Sequence, residues 1–236
     1  MFVLFSFAHI AALAAGAALV AAILIGRRRL RAGRANRAAR IALAALLIGC
    51  EAGLHAWYAL TDNWGVHSLP FQLCSMTVWL SAAVMLLGER GRGLHDIVFF
   101  LGLLGALQAM LTPNLDYTFP HFRYYHFFLA HIGIIAVSVF LIAVDRYRPT
   151  IRSAGRALLW LHALAVPGAV ANWLTGSNFM FLARKPGTAS LLDLLAPWPW
   201  YLLQLEVIAA LLCLLLLGFV RLAEWAADAA RARRSA

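Results

Sequence analysis

One cysteine at the start of an apolar run and two histidines in a later run are the residues best suited to chemistry. Cys74 follows Pro70 in LPFQLC, and a helix that begins near this proline would carry the thiol in its first turn. The helix dipole and a histidine base, His131 or His126, could hold such a thiol as a thiolate. Such a thiolate could carry out acyl transfer or ester hydrolysis on a lipid, with Asn178 or Gln72 donating to an oxyanion. A free cysteine is also common as a small apolar residue in helices, so Cys74 has a structural interpretation too.

Further polar residues are expected in one layer, within about 10 Å of the outer ends of their helices. Ionisable groups cost at least about 2.5 kcal/mol each in hydrocarbon, so this layer predicts a polar pocket that opens to the outer leaflet. The residues predicted to bind substrate in the pocket or at its mouth are Gln72, Gln108, Asn114, Asp116, Arg123, Tyr125, Asn178, Trp198, Trp200, Tyr201, Glu206, Glu51 and His55.

Several of these residues also have a structural interpretation. Glu51 and His55 share a helix face at i, i+4 and could simply neutralise each other. Arg123 could pair with Asp116 or bind a lipid phosphate through its planar guanidinium. Trp198, Trp200 and Tyr201 in PWPWY could be an aromatic belt at the membrane interface or a rim around the pocket.

Two other functions use the same residues. A metal-dependent membrane hydrolase has enough potential Zn²⁺ ligands in His55, His67, His121, His126, His131, Glu51, Asp116 and Glu206. However, no HExxH or HxxxH pair occurs, and we predict no metal site and no other cofactor. The second alternative is a non-enzymatic protein that binds or transports a lipid or small molecule, although no inverted repeat is evident.

The elements that must position these residues are transmembrane helices. Hydrophobic residues make up 63% of the 236 residues, charged residues make up 13%, and the mean hydropathy is +0.79. We therefore predict an all-α polytopic membrane protein, because in lipid only helices or closed barrels satisfy the backbone. About seven transmembrane helices are expected, over residues 4–25, 41–60, 70–88, 96–112, 124–144, 157–175 and 200–220. The fourth is short, which leaves a count of six open.

The distribution of charge predicts the orientation. With the N-terminus outside and the C-terminus cytoplasmic, nearly all arginines lie on the cytoplasmic side, and only Arg123, Arg184 and Lys185 face outward. This asymmetry accounts for the net charge of +10 without a nucleic-acid partner, and membrane lipids are the expected partners. Residues 1–220 form a single bundle in this prediction, and residues 221–236 form a basic cytoplasmic tail. Arginine used in place of lysine and abundant alanine suggest a bacterial inner membrane protein.

Three stretches resemble a known family: LPFQLC at 69–74, QAMLTPNLDYTFPHFRYYHFFLAHIGII at 108–135 and GSNFMFLARKPGTASLLDLLAPWPWYLLQLE at 176–206. They are similar to the YwaF-like bacterial integral membrane proteins, which are related to the eukaryotic transmembrane-protein-164 family. The resemblance implies a lipid acyltransferase that uses a cysteine, and more distant relatives imply fatty-acid ester hydrolysis with a threonine and a histidine. The reactive cysteine of the eukaryotic motif directly follows the proline, at the position of Phe71, whereas here the cysteine is Cys74.

Overall fold

The chain folds into a helical bundle in the computed structural model, which describes residues 2–187 and 191–235. The α-helices are α1 (Phe7–Leu30), α2 (Gly33–Leu60), α3 (Leu73–Leu87), α4 (His95–Ile97), α5 (Leu103–Leu111), α6 (Phe122–Ala143), α7 (Ile151–Thr175) and α8 (Trp200–Ser235). A π-helical segment at Val98–Gly102 joins α4 to α5, and 3₁₀ turns occupy Val66–Ser68, Gly88–Leu94, Phe179–Phe181 and Leu191–Leu194. The described residues contain no strand, so the predicted all-α class is confirmed.

Six segments are long and apolar enough to cross a membrane by length and composition. They are Phe7–Leu30, Gly33–Leu60, Val66–Leu111, Phe122–Ala143, Ile151–Thr175 and Trp200–Ala226. Several apolar helices of this length establish a multi-pass membrane protein. The count differs from the predicted seven because Val66–Leu111, 46 residues long, contains both the third and the fourth predicted spans.

The chain reverses inside this 46-residue segment. Gly88 ends α3 with φ +56° and ψ −124°, a backbone conformation that a side chain disfavours. A Cβ atom built on Gly102 would lie 3.9 Å from Cβ of Thr77, although 25 residues separate the two positions. A continuous helix would hold them about 37 Å apart. The arm formed by α4 and α5 therefore packs back along α3.

Contacts between elements define two ends of the bundle. At the loop end, where α1, α3, α6 and α8 begin, the Tyr124 hydroxyl donates to Ala8 O at 2.6 Å, and His9 Nε2 lies 2.8 Å from Met110 O. At the arginine end, where α1, α3, α6 and α8 finish or turn, Arg31 Nη2 donates to Ala143 O at 2.6 Å. The loop end corresponds to the predicted outer side, and the arginine end to the predicted cytoplasmic side.

Helix α6 is central and α8 is peripheral. In its most apolar window 72% of the α6 residues are buried, against 6% for Trp200–Ala226. Small residues permit the close packing of α6: a Cβ atom on Gly133 would lie 2.8 Å from Leu47 Cδ2 of α2. The cluster around Glu51 described below is formed across this α2–α6 contact.

The ends of the helices follow local sequence signals. Thr150 begins α7 by accepting a hydrogen bond from Ser153 N at 3.1 Å, and Gly176 ends it with φ +71°. Helix α8 continues without interruption past residue 220 to Ser235, so no helix end marks the boundary predicted between the bundle and a tail at 221–236.

Candidate functional site

A group of ionisable residues lies inside the bundle near the loop end, between α2 and α6. We call it the Glu51 cluster; its members are Glu51, His55, Arg123, His126 and His131. Glu51 interacts electrostatically with His55 and Arg123, and His126 interacts with Arg123, His131 and His55. The sequence predicted His55, His126 and His131 in one layer with Glu51 a turn deeper, and the helices bring these four residues together with Arg123.

Two histidines of the Glu51 cluster are fixed by their own helices. His131 Nδ1 lies 2.6 Å from Phe127 O, and His55 Nδ1 lies 2.8 Å from Glu51 O. A backbone carbonyl only accepts, so Nδ1 is the donor in both rings. The neutral rings therefore carry their lone pair on Nε2, where it can act as a base or an acceptor.

His126 has the opposite arrangement. Arg123 Nη1 lies 3.3 Å from His126 Nδ1, and a guanidinium only donates, so Nδ1 accepts and the proton of the neutral ring is on Nε2. The Arg123 guanidinium is itself held over the rings of Trp57 and Tyr58, each 5.8 Å from the ring centroid. Arg123 therefore fixes the orientation of His126. Asp116, which the sequence analysis named as a partner for Arg123, is exposed in the loop.

Among the described residues, two buried polar atoms of the cluster have no hydrogen-bond partner. They are Oε2 of Glu51, a residue only 2% exposed, and Nε2 of His126. Buried polar groups are nearly always paired, and each unpaired one costs about 1–3 kcal/mol. One of these atoms accepts and the other donates. A hydroxyl group can pair with either kind of atom, because it donates one hydrogen bond and accepts others.

Cys74 lies beside the cluster in the first turn of α3, as predicted. Its side chain is half-buried, and it interacts electrostatically with Glu51. Within the described residues its thiol has no hydrogen bond to His126 or His131. The structure thus brings the cysteine to the carboxylate of the cluster but shows no Cys–His pair.

Gln72, Asn178 and Tyr201 fasten the loop after α7. Gln72 precedes α3, which begins one residue later, and its Oε1 accepts from Met180 N at 3.0 Å. Asn178 Oδ1 accepts from Ala183 N at 3.2 Å, and the buried Tyr201 donates its hydroxyl to Phe181 O. These contacts are structural, and within the described residues none of the three side chains forms a hydrogen bond to the Glu51 cluster.

The other predicted binding residues lie elsewhere. The Glu206 carboxylate is 3.5 Å from His162 Nε2, on the surface shared by α7 and α8. The remaining residues have exposed side chains outside the cluster: Gln108, Asn114, Asp116, Tyr125, Trp198 and Trp200. The mouth of the site is therefore not defined by these residues. In the described part of the chain no three His, Cys, Asp or Glu side chains are placed to hold a metal ion, so the metal-hydrolase alternative gains no ligand set.

Sequence reasoning missed the charged groups at the arginine end. Asp96, 5% exposed, accepts hydrogen bonds from Tyr147 and from Arg156 Nε, the latter at 2.5 Å. Arg40 pairs with Asp145. The signal was the acidic residues Asp96 and Asp145 within otherwise basic inner loops, where each can neutralise an arginine.

Comparison with known proteins identifies a family. No curated protein and no solved structure matches the chain. The model of the TMEM164 family matches residues 4–217, which covers most of the 236 residues and includes every member of the Glu51 cluster and Cys74. The chain belongs to the TMEM164 family.

Proposed function

We propose that this protein is a lipid acyltransferase or lipid-ester hydrolase whose reaction takes place at the Glu51 cluster. The observation that supports it is that Glu51 Oε2 and His126 Nε2 are buried without a hydrogen-bond partner in the described part of the chain, and that Glu51 interacts with Cys74. Ionisable residues inside a membrane bundle are costly and usually functional. These unpaired atoms can form hydrogen bonds with the hydroxyl group of an acyl acceptor, which would be a lipid alcohol or a water molecule.

The residues have the following roles in this proposal. Cys74 loses its thiol proton to His131 Nε2 and attacks the ester carbonyl of a lipid, and the ester C–O bond breaks as the thioester forms. The proton passes from His131 to the departing alcohol. The acceptor hydroxyl, held by Glu51 and His126, then gives its proton to His131 and attacks the thioester, and the thiol is restored. A rotation of either side chain must first join Cys74 to His131, as often happens when substrate binds.

Membrane placement is part of the same proposal. We infer seven crossings, with the start of α1 outside, so that the Glu51 cluster opens toward the outer leaflet of a bacterial inner membrane. The alternation of loop end and arginine end along the chain supports this arrangement, together with the positive-inside rule.

An acyl-enzyme experiment tests the activity. Purified protein is incubated with a phospholipid that carries an alkynyl acyl chain, and the label attached through a hydroxylamine-sensitive thioester is measured. We expect labelling of the wild type and of Cys213→Ala, whose cysteine lies in α8, and none of Cys74→Ala. His131→Ala should label at least about 100-fold more slowly, because general base catalysis contributes that much or more.

The second candidate is lipid binding without chemistry, and the observation that favours it is the missing hydrogen bond between Cys74 and the histidines. In that case no thioester forms, and the lipid composition of cells expressing the wild type and Cys74→Ala is the same. The amount of lipid that co-purifies with the protein should then fall in Glu51→Gln and not in Cys74→Ala. Labelling that persists in Cys74→Ala would contradict the assigned nucleophile.

A further inference from the structure

A cavity of about 660 Å³ lies at the arginine end, opposite the Glu51 cluster. It is formed by the end of α1, the end of α6 with the loop that follows, and residues 220–228 of α8. Five arginines line it: Arg27, Arg28, Arg31, Arg146 and Arg148. Glu224 and Asp228 are the acidic lining residues, so positive charge is in excess.

Two of the five arginines, Arg31 and Arg148, bind other groups of the protein. Arg31 donates to the carbonyls of Ala143 and Val144 at the end of α6. Arg148 pairs with Glu224 at 2.7 Å. Desolvation, followed by repulsion from Arg146 and the neighbouring arginines, lowers the pKa of Arg31, which shows how closely these cations are crowded.

The other three arginines have no acidic partner within the described residues. Within residues 2–187 and 191–235, Arg27, Arg28 and Arg146 have no ion pair and no side-chain hydrogen bond. All three are exposed toward the cavity they line. Converging guanidinium groups repel one another unless an anion lies between them, and their planar forks match phosphate oxygens.

The wall of the cavity between α1, α6 and α8 is apolar. Leu24, Ile142 and Val220 line the cavity together with the arginines. A free inorganic anion cannot bury this apolar wall, whereas the glycerol and upper acyl chains of a phospholipid would cover it. Basic pockets between helices at the membrane interface have the same combination of features when they bind lipid headgroups.

We propose that this cavity is a specific site for an anionic phospholipid, with the phosphate between Arg27, Arg28 and Arg146 and an acyl chain along Leu24, Ile142 and Val220. The site is separate from the Glu51 cluster and does not depend on any reaction there. Because it lies at the other end of the bundle, its ligand comes from the opposite leaflet.

Binding is tested on the full-length protein in a neutral detergent, with phosphatidylglycerol, phosphatidylcholine and inorganic phosphate titrated separately and followed by native mass spectrometry. We expect one phosphatidylglycerol to bind at least tenfold more tightly than either of the other probes. The triple variant Arg27→Gln/Arg28→Gln/Arg146→Gln should weaken its binding roughly 100-fold, the scale expected for three basic groups. The corresponding triple lysine variant should retain part of the affinity, since charge is kept and the planar fork is lost.

The matched control is Arg34→Gln/Arg37→Gln/Arg90→Gln, which removes three exposed charges from the same end without touching the cavity. It should bind phosphatidylglycerol as the wild type does. An equal loss in both glutamine triples would overturn the site in favour of diffuse attraction to the surface. Equal affinity for inorganic phosphate and phosphatidylglycerol would overturn the lipid assignment and leave a site for free anions.

Discussion

Asp96 is the carboxylate that holds three segments together at the arginine end. It begins the arm after α3, and it accepts hydrogen bonds from Tyr147 in the loop after α6 and from Arg156 in α7. Burial, and then the hydrogen bond to Asp96, raise the pKa of Tyr147 above its ordinary value. The hydroxyl therefore stays protonated, and the contact persists at any physiological pH.

Tyr147→Phe should lower the free energy of unfolding by about 1 kcal/mol below pH 10, because Asp96 loses one of its partners. The pKa of Tyr147 is higher in the folded than in the unfolded state. The stabilisation that its protonated hydroxyl provides is therefore fully present below the ordinary pKa of about 10 and is lost as the pH rises toward the folded-state value. Denaturant unfolding of the two proteins from pH 8 to 11 measures this. The exposed Tyr125→Phe is the control with no expected effect. A difference between wild type and Tyr147→Phe that stays constant up to pH 11 would contradict the assignment.

At the scale of elements, the sequence predicts the helices better than their faces. The predicted spans 70–88 and 96–112 match α3 and the arm from His95 to Leu111, because the length of an apolar run is a property of the sequence alone. Which way a polar side chain points depends on how each helix is rotated against its neighbours. Glu206 was predicted in the polar layer, yet α8 touches the bundle mainly through α7, where His162 is its partner.

The Gly88 turn offers a test of the reversal between α3 and the following arm. Gly88→Ala should destabilise the protein by about 1–3 kcal/mol, since alanine at φ +56° and ψ −124° is strained. Gly93→Ala lies in the same 3₁₀ turn with open space around it and no positive φ, so it should be neutral within about 0.5 kcal/mol. Unfolding free energies of both variants provide the comparison. Equal stability of the two variants would mean that the turn does not require the glycine.

At the scale of the whole molecule, the two proposed sites lie at opposite ends of the bundle. The Glu51 cluster lies at the loop end, where buried ionisable groups have unsatisfied atoms, and the arginine-lined cavity lies at the other end. In the proposed orientation, the arginines that the positive-inside rule places on the cytoplasmic side are also the ones available to bind anionic lipid. The separation depends on whether the segment from Val66 to Leu111 crosses the membrane twice.

Cysteine labelling from one side of the membrane decides this. In a background with Cys50, Cys74 and Cys213 replaced by alanine, exposed residues are changed one at a time in the variants Asn63→Cys, Arg90→Cys and Asp116→Cys. Two crossings place the first and third thiols outside and the second inside, so an impermeant maleimide should label Arg90→Cys only after permeabilisation. A single crossing would put Asn63→Cys and Asp116→Cys on opposite sides, and a segment that dips in without crossing would leave all three on one side. The antiparallel contact of Thr77 with Gly102 argues against a single crossing, since it brings the ends of the segment back to the loop end.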